Sequence, residues 1–114
     1  MATHSQDCIF CKIIAGELES TKVWENSSFI AIQNKYPEAP IHVLVMPKLH
    51  IEKDDVMTVK TQPFWGDIMS AVTEVIQLRK LDTQGYKLVI NGAGYNHLEH
   101  EHVHIMSGLA ENER

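Results

Sequence analysis

The stretch that decides the fold is HLEHEHVHIM, residues 97–106, in the last fifth of the 114-residue chain. It places histidines at alternate positions, His100, His102 and His104. Successive side chains of a β-strand point to opposite faces, so a strand here puts three imidazoles on one face. Neighbouring imidazoles are costly to bury without partners, and they suit a phosphate site, a metal site or a proton relay.

The residues between the histidines predict what lies on the other face of this strand. Val103 and Ile105 alternate with the histidines and should therefore point into a core. The pattern alone leaves three alternatives open for the histidines. They are a polar face in solvent, three ligands of one metal ion, or one nucleophilic histidine supported by the other two.

Composition and charge narrow the class of protein. The chain is 44% hydrophobic and 22% charged, which is typical of a soluble globular protein. We expect a single domain over residues 1–114, with a flexible N-terminus at about residues 1–7. The net charge of -5 disfavours a nucleic-acid partner. The absence of a long apolar run or an apolar leader predicts no membrane association and a cytoplasmic location.

Apolar periodicity and turn residues predict an α+β fold with a mainly antiparallel five-stranded sheet. One short N-terminal helix ends before Gly16, and one long central helix has Thr61 as its candidate cap. The predicted helices cover residues 9–15 and about 64–81. The predicted strands cover residues 22–25, 29–32, 42–46 (apolar enough to be buried on both faces), 86–90 and the histidine stretch.

Cys8 and Cys11 form a Cys-x-x-Cys near the N-terminus. A structural disulfide is not expected in a reducing compartment. Zinc ligation, two unremarkable thiols and redox chemistry remain open, although a redox motif usually follows a strand that the polar residues before Cys8 cannot form.

Four blocks of the chain are similar to one known family. Residues 100–106 resemble the motif of the histidine triad (HIT) superfamily, and residues 8–17, 39–50 and 86–91 resemble blocks of its HINT-like bacterial branch, in the same order. The resemblance implies a HIT-like fold. It also implies binding of purine nucleotides and the transfer or hydrolysis of nucleoside monophosphates.

The resemblance assigns catalytic roles to three histidines. His102 matches the nucleophile, which would attack the α-phosphorus of a nucleoside phosphoramidate or a related adenylated compound and form a phosphohistidine–nucleotide intermediate. His104 matches a donor near the phosphate and the leaving group. His42 matches a histidine that lines the same pocket from the central strand.

The resemblance also implies the nucleotide-binding residues. Asn34 stands where the family usually has a ribose-binding aspartate, Asn91 matches an asparagine near the phosphate, and His97 stands where many members have a serine near the leaving group. The apolar base pocket would draw on Ile9, Phe10 and Ile32, with Ile30 equally compatible with plain core packing. The full implied set is Ile9, Phe10, Ile32, Asn34, Asn91, His97, His102 and His104.

The metal site and the oligomeric state come from the same resemblance. His50 and His100 match the histidines that join the two cysteines in zinc-bearing members, so Cys8, Cys11, His50 and His100 would form a closed structural zinc site. The long helix and the strand at residues 86–90 carry more apolar surface than a small sheet can bury, and similar proteins pair through these elements. We therefore expect a homodimer.

Besides Asn34 and His97, two more residues are unusual for the family pattern. Glu101 stands where an apolar core residue is usual, so it needs a partner or an exposed strand end. Lys35, beside Asn34, is expected to be a solvated loop lysine. The function expected is a nucleotide hydrolase or transferase. Its alternatives are a zinc-containing nucleotide-binding module with little turnover, and a hydrolase with a metal on all three triad histidines.

Overall fold

A computed structural model describes residues 7–114, and the predicted flexible N-terminus lies, apart from Asp7, outside these residues. The helices are α1 (Ile9–Ile14), α2 (Lys53–Val56), α3 (Gln62–Leu78) and α4 (Leu81–Gln84), with short 3-10 turns at Val59–Thr61 and Glu111–Glu113. The strands are β1 (Lys22–Glu25), β2 (Phe29–Gln33), β3 (Ile41–Pro47), β4 (Lys87–Val89) and β5 (Val103–Ser107).

The five strands form one sheet in the order β1-β2-β3-β5-β4, and every neighbouring pair is antiparallel. The predicted α+β fold with an antiparallel five-stranded sheet, a short first helix and a long central helix is confirmed. The two strands at the centre come from distant parts of the chain, because β3 pairs with β5. In that pairing His42 lies opposite Met106, and Leu44 lies opposite His104.

Both faces of the sheet are covered, and successive residues of the central strands enter different apolar clusters. On one face α3 packs against the sheet, and the buried side chains there include Val43, Val45, Val103, Ile105, Ile68, Val72 and Val75. On the other face α1 packs against it through Phe10, Ile13, Ile30, Ile32, Leu44 and Met46. The predictions that β3 is buried on both faces and that Val103 and Ile105 point into a core are confirmed.

The long helix α3 follows its apolar period, with Pro63 in its first turn. The cap predicted for it is wrong. Thr61 occupies the N-cap position, but its hydroxyl donates to the carbonyls of Val56 and Thr58 instead of accepting from the helix. The helix also ends earlier than predicted, at Leu78, because Lys80 adopts a left-handed conformation with φ +57°.

The strand predicted at residues 86–90 is shorter than expected, since β4 covers only Lys87–Val89. The strand predicted for the histidine stretch is also shorter than expected. Regular pairing with β3 starts at Val103, opposite Val45, and His100 contributes only an isolated bridge to Glu52. His100 and His102 therefore precede the strand that carries His104.

Glu101 has the partner that its position requires. It is fully buried, and its Oε1 lies 2.5 Å from Nζ of Lys53, which is 4% exposed. Lys53 is the first residue of α2, a helix that the sequence did not predict. The ion pair satisfies a carboxylate at a position between His100 and His102, where an apolar residue was expected.

Within residues 7–114, no helix combines the length and the apolar character needed to cross a membrane.

Candidate functional site

A cavity of about 710 Å³ opens on the α1 side of the sheet. Its walls come from α1, from the loop after β2, from β4 and from the loop between β4 and β5. All eight residues predicted to bind a nucleotide line it, namely Ile9, Phe10, Ile32, Asn34, Asn91, His97, His102 and His104. Ile30 does not line the cavity and is a core residue of the apolar cluster against which α1 packs.

His102 lines this cavity with one ring nitrogen already engaged. Its Nδ1 lies 2.8 Å from the carbonyl oxygen of His100. A carbonyl only accepts, so Nδ1 carries the hydrogen and Nε2 keeps its lone pair. Burial lowers the pKa of His102 to about 4, with the Lys53 charge acting in the same direction, so the ring is neutral at pH 7. A neutral imidazole with a fixed tautomer is the form that a nitrogen nucleophile needs.

His42 and His104 form a chain of directed hydrogen bonds beside His102. The backbone N–H of Glu38 donates to His42 Nδ1 at 3.0 Å, so the hydrogen of His42 is on Nε2. That Nε2 lies 2.8 Å from Nδ1 of His104 and donates to it. His104 must then carry its own hydrogen on Nε2, which makes the cavity wall a hydrogen-bond donor at this point.

Burial keeps these two rings neutral as well. It is the main cause that lowers the pKa of His42, and with the nearby His102 and His42 rings it lowers the pKa of His104 to about 4. The site at pH 7 therefore holds three uncharged imidazoles with assigned tautomers.

The two asparagines lie next to this chain. The Asn34 amide is 3.4 Å from His42 Nε2, and its Oδ1 accepts the backbone N–H of Tyr36 at 3.0 Å. The Asn91 amide is 3.5 Å from His104 Nε2. Both asparagines line the cavity, Asn34 after β2 and Asn91 after β4. Because the ring nitrogen beside each of them carries a hydrogen, neither amide N–H donates to it.

The four residues predicted as metal ligands are brought together. The ligand atoms of Cys8, Cys11, His50 and His100 all lie within 4.8 Å of one another. Nδ1 of His50 is 3.3 Å from the Cys11 sulfur, and Nδ1 of His100 is 3.3 Å from the Cys8 sulfur. Zinc with ordinary Zn–S and Zn–N bonds in a tetrahedron separates sulfur from nitrogen by about 3.6 Å, which these distances approach.

The outer contacts of the two histidines fit the same interpretation. Nε2 of His100 lies 2.8 Å from the Pro47 carbonyl, and Nε2 of His50 lies 3.2 Å from the Glu52 carboxylate. Each acceptor places the ring hydrogen on Nε2 and leaves the Nδ1 lone pair facing the cysteines. The donor set therefore fits a divalent metal ion.

The triad histidines do not form a second metal site. In the part of the chain from residue 7 onward, the cluster with the two cysteines is the one group of three or more metal-binding side chains that comes together. Nδ1 of His102 is engaged with the His100 carbonyl, and Nδ1 of His104 accepts from His42. The arrangement gives no support to a metal on all three.

Several cavity residues were not predicted from the sequence. Lys35 is exposed, as predicted, but it also borders the cavity, together with Tyr36, Lys87 and Tyr95. Each of these residues lies within a few positions of a predicted binding residue in the sequence. That proximity is the one sequence feature that could have indicated them. Lys53 gave no such signal, because only the tertiary structure places it beside Glu101.

The chain is similar to known proteins over nearly its whole length. A family profile described as "Scavenger mRNA decapping enzyme C-term binding" matches residues 7–113. An uncharacterized HIT-like protein of Chlamydia muridarum is 38% identical over 112 residues, which cover 94% of this chain and 86% of that protein.

Two solved structures show the same similarity. A HIT family hydrolase from Clostridium thermocellum is 33% identical with a TM-score of 0.84, over 94% of this chain and 95% of that one. A histidine triad nucleotide-binding protein from Candida albicans is 30% identical with a TM-score of 0.76, over 91% and 80% of the two chains.

The lowered pKa of His104 predicts a pH dependence of stability. The unfolded chain takes up a proton on this histidine near pH ~6.5, whereas the folded protein does so only near pH 4. Acidification from pH ~6.5 to pH 4 therefore lowers the free energy of unfolding, which increases again as the pH rises. Urea unfolding of the wild type and His104→Gln at several pH values between 4 and 7 measures the effect.

The difference between the two proteins isolates His104, because acid release of a metal would affect both. The free energy of unfolding of the wild type should fall more steeply with acid than that of His104→Gln. Parallel pH profiles for the two proteins would contradict the assignment of a neutral buried His104.

Proposed function

The chain belongs to the histidine triad family, and from this membership and the cavity geometry we propose that it is a purine nucleotide hydrolase or transferase. Its substrates would be nucleoside 5′-phosphoramidates or related adenylated compounds, cleaved at the α-phosphate through a phosphohistidine–nucleotide intermediate. The observation that carries the proposal is the His102 ring, which is neutral, fixed through Nδ1 and placed at the cavity wall with Nε2 available.

The reaction proceeds in two displacements. Nε2 of His102 attacks the α-phosphorus, the phosphorus–nitrogen bond breaks, and the departing amine takes up a proton from solvent. Water then attacks the same phosphorus, the bond from phosphorus to Nε2 breaks, and the nucleoside monophosphate and free His102 are released while the proton of the water passes to solvent. Covalent catalysis of this kind divides one difficult displacement into two easier ones.

The hydrogen bonds from Glu38 to His42 and from His42 to His104 prepare a donor for the negative charge on the phosphoryl group. Because His104 carries its hydrogen on Nε2, it can donate to a phosphoryl oxygen, on which negative charge grows in the transition state. The donor is already oriented before the substrate binds, so little reorganisation is needed at the moment of reaction.

Substrate binding divides into an apolar and a polar part. Ile9, Phe10 and Ile32 offer apolar surface for a purine base, and with few polar groups at its edge, adenine and guanine should bind with affinities within about tenfold. Asn34 is the candidate contact for the ribose hydroxyls, and Asn91 for the phosphate. The partner in this proposal is therefore a small nucleotide and not a nucleic acid.

The cysteine–histidine cluster is proposed as a structural zinc site. Cys8 is the N-cap of α1 and its sulfur accepts the Cys11 N–H at 3.3 Å, so the helix start aligns both sulfurs. Bound zinc would tie this N-terminal segment to His50 after β3 and to His100 before β5. A thiolate site of this kind needs a reducing compartment, and we propose a cytoplasmic location on that basis.

A homodimer is proposed from the edge of the sheet. β4 is an edge strand of only three residues, and it is flanked by Tyr86 and Ile90, which are 48% and 43% exposed. Leu78, at the end of α3, is 56% exposed. A two-fold axis at this edge would bury the same patch twice and join two sheets. Light scattering at micromolar concentration should give a dimer mass, and Ile90→Lys should shift it to the monomer. A monomer mass for the wild type would contradict the proposal.

Replacement of the nucleophile tests the mechanism directly. His102→Asn should reduce turnover of an adenosine phosphoramidate by about 10³-fold or more, because the covalent route is lost. Nucleotide binding, measured by calorimetry with AMP, should survive. The matched control His97→Asn removes an exposed histidine of the cavity rim and should lose much less activity.

Full activity in His102→Asn would overturn the mechanism. A wild-type protein that binds AMP but turns over none of a panel of adenylated compounds would instead support the alternative, a zinc-containing nucleotide-binding module.

Metal analysis tests the zinc site. The protein should contain one zinc per chain, and Cys8→Ser should lower both the zinc content and the melting temperature, since metal binding is coupled to folding. His97→Ala, a histidine outside the cluster, should keep the zinc. Protein purified without chelators that lacks zinc, and whose stability Cys8→Ser leaves unchanged, would rule the site out.

A further inference from the structure

Lys53 is hydrogen-bonded at both ends to the segment that carries the triad. Its backbone N–H donates to the carbonyl of Glu99 at 3.0 Å, and its ammonium lies 2.5 Å from Oε1 of Glu101. The ion pair is almost completely shielded from solvent, with Lys53 4% exposed and Glu101 0%. A buried pair of this kind is held in one geometry, because either charge alone would be very costly.

The same carboxylate oxygen holds the backbone of His102. The His102 N–H donates to Oε1 of Glu101 at 2.8 Å. The other oxygen, Oε2, is buried and has no hydrogen-bond partner within residues 7–114. All of the described hydrogen bonds to this carboxylate therefore converge on the one oxygen that connects Lys53 to His102.

The position of His102 in the chain makes this contact important. The regular ladder between β3 and β5 begins at Val103, so it does not include His102. The backbone around His102 is instead fixed by the Glu101 carboxylate and by the bond from Glu101 N–H to the Ile51 carbonyl at 2.7 Å. Side-chain and loop contacts replace strand pairing at the one residue whose placement matters most for attack.

We propose that Glu101, held by Lys53, is a positioning residue that fixes the His102 imidazole for in-line attack on phosphorus. The inference rests on the proposed function, in which His102 is the nucleophile. Glu101 and Lys53 line no part of the nucleotide cavity, so they act through His102 and not on the substrate. A displacement of about 1 Å in a reacting group can cost 10²-fold in rate.

Two substitutions of Glu101 separate positioning from stability. Glu101→Gln keeps an oxygen that can accept from both Lys53 and His102 but removes the carboxylate charge, so it should lower the melting temperature and leave kcat within about threefold. Glu101→Leu removes the oxygen and should lower kcat by about tenfold or more, with KM within about twofold, because the base and ribose contacts remain. The matched control Glu99→Leu, at an exposed position two residues earlier, should change neither kinetic constant.

Glu101→Leu leaves the buried Lys53 ammonium without a carboxylate and could fail to fold for that reason. A second pair of variants controls for this effect. Lys53→Met/Glu101→Gln and Lys53→Met/Glu101→Leu both lack the buried charges, and only the first keeps the oxygen. The first should have the higher kcat. Equal kcat in the two double variants would overturn the proposal, as would losses of kcat that follow the melting temperature in every variant.

A measurement without substrate keeps the test independent of the proposed reaction. The His100 carbonyl selects the Nδ1–H tautomer of His102, and the bond from the His102 N–H to Glu101 holds the backbone so that the ring stays beside that carbonyl. Nitrogen-15 NMR of the His102 ring should therefore show the single Nδ1–H tautomer in the wild type and Glu101→Gln, and a mixture of tautomers in Glu101→Leu. This result without turnover in the wild type would support the positioning and reject the proposed reaction. A single Nδ1–H tautomer in Glu101→Leu would reject the positioning, whatever the turnover.

Discussion

The antiparallel pairing of β3 with β5 is the constraint on which the rest of the structure depends. It joins segments about sixty residues apart, and its register brings His42 within 2.8 Å of His104. Since side chains alternate along both strands, the same register sends Val45 and Val103 into the cluster beneath α3. One pairing thus builds the apolar core on one face and brings His42 and His104 together on the other.

The residues that precede Val103 lie outside this pairing and are held mainly by side-chain contacts. His100 faces the two cysteines, and Glu101 faces Lys53 in the interior. His102 lies between these contacts and the first residue of β5, so its placement depends on the cysteine–histidine cluster and on a buried ion pair. In the proposed reaction, the nucleophile is therefore positioned by interactions that a strand alone would not supply.

Much of this was predictable from the sequence, and the exceptions have a common cause. The continuous apolar run predicted that β3 is buried on both faces, alternation predicted the faces of β5, and the helical period predicted α3, because these signals are local. The resemblance to a family indicated which residues line the cavity and which form the cysteine–histidine cluster, and local patterns cannot bring these residues together. Lys53 escaped prediction because nothing in its neighbourhood signals a buried lysine. The early end of the ladder at Val103 and the bond from the Glu38 N–H to His42 also depend on tertiary packing alone.

The proposed reaction requires that His102 forms a covalent bond to phosphorus. A rapid-quench experiment can detect this bond. The protein is mixed with an adenosine phosphoramidate, the reaction is quenched within milliseconds under alkaline conditions, and the adduct is mapped by peptide mass spectrometry. An adenylyl group is expected on the peptide that contains residues 99–106, localised to His102 and absent from His102→Asn. Turnover without any adduct, or an adduct on another residue, would contradict it.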